Sequence, residues 1–243
     1  RQSAFMAAHP DVVLLGSWAH RIDAGGRRLG RLDPPTAHHD LVRQLAARNP
    51  FVHSTVMMRT AAARRLGGYR AACDGAEDYD LWLRLSEQGS VAILGEPLVL
   101  YREHGDSVTR RRHVRQCFAA RLARQAARER RDGGRDSLSG LAEPPDWWAA
   151  DADDRNYAAD ARICRLLDLA AADAVDDAVA TGRLQRTPLP PARAIAAFSH
   201  AEKRLLRGAV ANLLRLPDRP PHMSMPRLAG LLVASRMGRW LGQ

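Results

Sequence analysis

The sequence predicts an α/β layer domain followed by an all-helical region, and three features of its pattern carry that expectation. Short apolar runs of strand type alternate with helical patterns as far as about residue 112. Mixed strand and helix at this spacing imply α/β layers. Beyond that point helical periodicity continues with no convincing strand and no internal repeat at a fixed period. A very basic stretch from Arg110 to Arg135 opens the second part, and Asp132-Gly133-Gly134 with Glu143-Pro144-Pro145 mark a linker near 132–146. The expected division is therefore 1–112 and 113–243.

Val12–Leu15 is an apolar run of buried-strand type. Asp23-Ala24-Gly25-Gly26 is a turn signal that closes a hairpin between Ala19–Asp23 and Arg27–Arg31. Pro34-Pro35 ends that section, and Thr36 can cap a helix running to about Arg48, where Asn49-Pro50 breaks it. Val52–Arg59 reads as a strand, Thr60–Leu66 as a short helix closed by Gly67-Gly68, and Val91–Leu94 and Leu98–Arg102 as further strands. In the second part, Tyr157–Val179 is helical, with Ile163, Leu166, Leu167 and Ala170 on one face. Further helical patterns run from Ala192 to Leu216 and from Pro226 to Leu241.

The most informative stretch is Ala76-Glu77-Asp78-Tyr79-Asp80-Leu81-Trp82-Leu83-Arg84-Leu85. Leu81 and Leu85, spaced i, i+4, share a helical face, and Gly89 sits where a helix C-terminus would be. Glu77, Asp78 and Asp80 therefore occupy a first helical turn. Acids are favoured there in any case, by about 0.3–1 kcal/mol each, because they complement the macrodipole. A carboxylate fixed at that position can also project into a cleft as a general base must.

The segments around the acidic helix fall into a known order. Asn49-Pro50-Phe51-Val52-His53-Ser54-Thr55-Val56-Met57-Met58-Arg59 comes first, then Leu66-Gly67-Gly68-Tyr69-Arg70. Pro97-Leu98-Val99-Leu100-Tyr101-Arg102-Glu103-His104 follows the helix, and Phe5-Met6-Ala7-Ala8-His9-Pro10-Asp11 leads into the first strand. Over roughly residues 1–110 this order resembles the second half of a family 2 glycosyltransferase, the inverting GT-A type. The resemblance implies transfer of a sugar from a nucleotide-sugar donor to a glycan or lipid-linked acceptor, in polysaccharide or cell-envelope synthesis. It makes Asp78 the general base, with Glu77 orienting the acceptor. It places His53 and Thr55 on one face of a strand flooring the acceptor cleft. Trp82, one helical turn beyond Asp78, either stacks on an acceptor ring or forms a core contact beneath it. His104 matches a late family histidine near the metal-diphosphate, and the implied cofactor is a divalent cation, magnesium or manganese, held mostly by the donor-binding half.

Such enzymes begin with a nucleotide-binding βαβ region and an Asp-x-Asp motif at a strand end, and neither precedes Arg1. The expectation is an incomplete GT-A domain, a fragment inactive alone, with a helical extension. Asp151-Ala152-Asp153-Asp154 spells the motif literally, but the residues before it, Pro145-Asp146-Trp147-Trp148-Ala149-Ala150, are no buried strand. A loop or helix start with acidic caps is expected there, without a metal.

Composition narrows the remaining classes. The 243 residues carry a net charge of +10, which ordinarily points to nucleic acid or an anionic membrane. Lys203 is the sole lysine and Ala is abundant, so the arginine excess reads as coding bias, and no nucleic-acid partner is expected. Cys73, Cys117 and Cys164 stand far apart, fitting reduced thiols in a cytoplasmic protein. No run of 18 apolar residues is present. Gly-x-Ser-x-Gly and His-Glu-x-x-His are both missing, which disfavours Ser-His and zinc hydrolases. The alternative to an enzyme is a basic helical binding module built on Arg110–Arg135. A peripheral contact at the inner membrane face is the expectation left open for 226–241, where Leu228, Leu231, Leu232 and Ser235 share a face.

Overall fold

A computed structural model describes residues 1–103, 110–133, 136–170 and 172–237, and these divide into two compact units. The first comprises 1–107 with 119–144, and the second comprises 108–118 with 145–243. The first unit thus takes in the later part of the long basic helix, which the sequence assigned to the extension.

In the first unit, α1 (Gln2–Ala8) leads into the long strand β1 (Val12–Ile22). The turn at Asp23–Gly26 returns the chain as β2 (Arg28–Leu32), antiparallel to the end of β1 with Ala19 opposite Leu32. β3 (Met57–Met58) pairs antiparallel with Leu14 and Leu15, and β4 (Ser90–Arg102) runs parallel to β1 along most of its length. β1 is therefore central, with β4 on one side and β2 and β3 sharing the other. The two short strands expected at 91–94 and 98–102 are one strand. The register shifts between Ser17 and Ala19, where Gly95-Glu96-Pro97 lies opposite, and Pro97 has no N–H to give the ladder.

The largest difference from the sequence pattern is at 52–59. Instead of a full strand, His53–Thr55 forms a 3-10 turn and β3 is two residues long. The Thr55 hydroxyl donates to the Val52 carbonyl at 2.8 Å and accepts from the Ser17 amide at 3.2 Å. This local side-chain competition favours a turn over a ladder. α2 (His38–Leu45), α3 (Thr60–Arg65) and α4 (Glu77–Ser86) then cover the sheet, and α4 touches β1, β4, α2 and α3. Its Leu81, Trp82 and Leu85 are buried, as are Leu14, Leu41 and Leu45, each at most 2% exposed, while Leu15 packs in a separate cluster with Met6 and Val12. Gly89 allows close approach: an added Cβ would stand 2.9 Å from the Asp11 carbonyl and 2.7 Å from Val13. That contact, and no left-handed helix cap, explains the residue.

α5 (Arg110–Arg131) buries Leu122, Ala123, Ala126 and Ala127 in the first unit. Arg130 reaches Glu87 at 2.8 Å and Arg124 donates to the Ala47 carbonyl at 3.2 Å, so the later part of the basic helix is tied to the first unit.

The second unit is helical, as expected: α6 (Ala158–Asp168), α7 (Ala172–Ala180), α8 (His200–Leu213) and α9 (Met225–Met237). α8 starts with a capping box in which Ser199 and Glu202 exchange side chain-to-backbone bonds. The face of α9 read as a membrane contact points inward. Leu228, Leu231 and Ser235 are at most 4% exposed, packed with α8 and the 3-10 turn Ala192–Ala197. Over the described residues this part of the apolar stripe is used within the unit, and 238–241 of the expected membrane contact lie outside them. No helix among the described residues is long and apolar enough to cross a membrane.

Candidate active site at the start of helix α4

The acidic turn separates its carboxylates by helical geometry. Successive residues rotate by about 100°, so Asp80 faces nearly opposite to Asp78. Asp80 is fully buried. It accepts from Arg84 through Nε at 2.9 Å and Nη2 at 2.7 Å, and from Arg70 through Nε at 2.9 Å. Arg70 continues to Asp136 at 2.7 Å, and Arg84 donates to the carbonyls of Leu66 and Gly68 at 2.8 and 2.7 Å. Asp80 is thus the structural acid of the turn: it ties α4 to the loop that carries Tyr69.

Asp78 is half-buried and is bound by neutral groups. Its Oδ1 accepts from the Tyr79 amide at 2.6 Å, and its Oδ2 accepts from the Asn49 side-chain amide at 3.2 Å. Among the described residues no arginine or lysine pairs with it. Burial pushes its carboxyl above the ordinary aspartate value and the Glu77 charge adds to this, against the lowering effects of the Tyr79 N–H, His53 and Asn49. Asn49 is itself fixed, its Oδ1 accepting from the Phe51 amide at 3.0 Å in a turn around Pro50. Glu77 folds back, Oε2 accepting from the Gly75 amide at 3.0 Å.

On the neighbouring loop His53 is exposed, with Nε2 3.2 Å from the Tyr69 hydroxyl and the two rings edge to face at 6.3 Å between centroids. Tyr69 feels the same acidic surroundings: burial first, then the charges of Asp78 and Glu77, raise its phenol. Trp82 lies beneath, fully buried, its ring centroid 6.1 Å from His53 and 6.4 Å from Phe51. It takes the core-contact role, and a ring with no exposed face cannot stack on an acceptor. Thr55 is likewise buried, with both hydroxyl functions satisfied inside the fold. The 3-10 turn is the reason His53 and Thr55 do not share a face.

The structure therefore brings together Asp78, Glu77 and His53, and adds Asn49 and Tyr69, which the sequence reading did not single out. Asn49-Pro50 carries a signal beyond helix breaking, because an Asx turn leaves the amide nitrogen free to reach a neighbour. Tyr69 follows two glycines in left-handed conformation, a turn that turns the next side chain outward. His104, the expected metal ligand, lies outside the described residues. Among the described residues no group of three or more His, Cys, Asp or Glu side chains could hold a metal.

No family model matches the chain. It is similar to curated proteins over about half its length. AmsE of Erwinia amylovora, an amylovoran biosynthesis glycosyltransferase, is 36% identical over 114 residues, 46% of this chain and 42% of that protein. EpsE of Bacillus subtilis (strain 168), provisionally named a glycosyltransferase, is 35% identical over 131 residues, 53% of this chain and 46% of that protein. The O-antigen biosynthesis protein RfbC of Myxococcus xanthus is 35% identical over 101 residues, 41% of this chain and 8% of its own length. The chain spans about half, or less, of the length of these relatives. The names of AmsE and EpsE support a glycosyltransferase family.

Proposed function

We propose that this chain is the acceptor-side part of an inverting, family 2 glycosyltransferase of GT-A type, acting in polysaccharide or cell-envelope glycan synthesis, with Asp78 as general base. An acceptor hydroxyl attacks the anomeric carbon of a nucleotide sugar. A carbon–oxygen bond forms to the acceptor as the bond to the nucleoside diphosphate breaks, and the hydroxyl proton passes to a carboxylate oxygen of Asp78. Such proton removal contributes typically ~10²–10⁴-fold. A carboxylate held above its usual range is better matched to this task than a fully solvated one. Glu77 and the exposed His53–Tyr69 pair bracket the acceptor, and Asn49 holds the Asp78 carboxylate in orientation.

The observation that carries the reading is Asp78 itself: half-buried at a helix start, bound by two neutral donors, and beside exposed polar rings. The names of the relatives support the reaction class, and the segment order in the sequence supports the inverting family. The test is Asp78→Asn in the protein as its gene encodes it, assayed against nucleotide-sugar donors. Transfer should fall by about 10² or more while donor binding changes little. Transfer near the wild-type rate would place the base elsewhere.

A further inference from the structure

The second unit carries two adjoining clefts that the transfer site does not use. One, of about 430 Å³, is lined by Asp153, Arg162, Gln185, His222 and Arg227. The other, of about 410 Å³, is lined by Leu189, Pro190, Pro191, Gly230 and Leu231. Leu189 and Arg227 line both, so the two clefts adjoin and together offer a groove with a polar end and an apolar end. Each is within the usual size range of a small-ligand site, roughly 300–1,000 Å³.

The polar end is cationic. Its lining carries one carboxylate, Asp153, which is bonded to Arg162 of the lining at 2.9 Å and to the buried Arg165 behind it at 2.8 Å. Arg227 stands exposed in the first turn of α9 and is the second arginine of the lining, which leaves two positive charges against one negative. Among the described residues its guanidinium makes a long contact, Nη1 to the His222 carbonyl at 3.5 Å, which leaves most of its donors for a ligand. A planar guanidinium is well suited to bidentate phosphate recognition.

The apolar end has a feature that packing does not explain. Gly230 lies in the middle of α9, where glycine costs roughly 0.5–1 kcal/mol relative to alanine. A Cβ added there would meet nothing within 4 Å. No neighbour of the folded chain demands the glycine, and its missing side chain keeps the apolar trough open. Opposite it, Pro188-Leu189-Pro190-Pro191 forms a wall whose backbone is fixed by three prolines, so the groove is preformed.

We infer that this groove binds a single anionic amphiphile, its phosphate head on Arg227 and Arg162 and its hydrocarbon tail in the trough beside Gly230. The site stands on charge and shape alone and is independent of the role of Asp78. Decyl phosphate, below its micelle concentration, is the probe for calorimetric titration of the full-length protein. Inorganic phosphate and decyltrimethylammonium test head and tail separately. Decyl phosphate should bind at one saturable site about 10-fold or more tighter than either control, since head and tail contacts combine. Arg227→Gln should weaken it by about 10-fold. Gly230→Leu, which fills the trough, should weaken decyl phosphate by a similar factor of about 10 and leave inorganic phosphate unchanged. Unchanged thermal midpoints for both exposed substitutions establish that folding is intact. Equal affinity for all three probes, indifference to both substitutions, or binding confined to phosphatidylglycerol vesicles would overturn the inference.

Discussion

Two acidic turns in this molecule look alike in sequence and behave oppositely in structure. Asp151–Asp154 spells Asp-x-Asp, yet it forms a 3-10 turn in which the carboxylates of Asp151 and Asp153 are ion-paired. Asp151 pairs with Arg155 at 2.7 Å, and Asp153 with Arg162 and Arg165, so both carboxyls are held below the ordinary aspartate range, chiefly by those hydrogen bonds. At the start of α4, Asp78 has no such partner among the described residues and burial holds it above that range. Density of acid is therefore a poor marker of chemistry. Burial without a counter-charge is the better one, because it leaves a carboxylate that is a stronger proton acceptor than a solvated or ion-paired one.

The comparison can be broken in several ways. The largest effect should be on catalysis: Asp78→Asn lowers transfer by ~10²–10⁴-fold, whereas Asp153→Asn leaves the rate within about 2-fold, since it meets no reacting group. Next comes Asp80, two residues from Asp78 but locked between Arg70 and Arg84. Asp80→Asn leaves two arginines short of a buried partner and should cost about 3–5 kcal/mol of folding stability in urea denaturation. Asp153→Asn should cost about 1 kcal/mol or less, because that carboxylate is 37% exposed and solvent screens the pair.

The smallest effect has the opposite sign. Between the ordinary aspartate value and the raised value of Asp78, the native state binds more protons than the unfolded chain, so this group loses stability as pH rises through its raised value. For Asp153 the folded value is lowered, and its contribution is present above the ordinary value and lost as pH falls through the lowered one. Asp78→Asn should accordingly leave the thermal midpoint at neutral pH unchanged or slightly higher, while abolishing transfer. A clear drop in midpoint would recast Asp78 as a structural acid like Asp80.

Much of this was legible in the sequence. Leu81 and Leu85 fixed the phase of α4, Asp23–Gly26 gave the hairpin, and the run 12–15 marked the central strand. Local signals set all three. What the pattern hid was decided by tertiary partners. Val52–Arg59 has strand composition, but the Thr55 hydroxyl bonds locally and closes a 3-10 turn. Trp82 shares a helical face with Asp78 by spacing, yet burial beneath His53 and Phe51 removes its face from any ligand. The pairing of Asp80 with Arg70, ten residues earlier, follows from the fold and not from the helix pattern alone. The stripe on α9 showed that a face is apolar without showing that α8 covers it.

Carbon-13 NMR titration of the aspartate side-chain carboxyls, assigned by difference against Asp78→Asn and Asp153→Asn, tests the central claim most directly. Asp78 should titrate above the ordinary aspartate value, and Asp151 and Asp153 below it. An Asp78 carboxyl titrating at or below the ordinary value would mean that the group is solvated or paired, and the account of a desolvated base at the head of α4 would be contradicted.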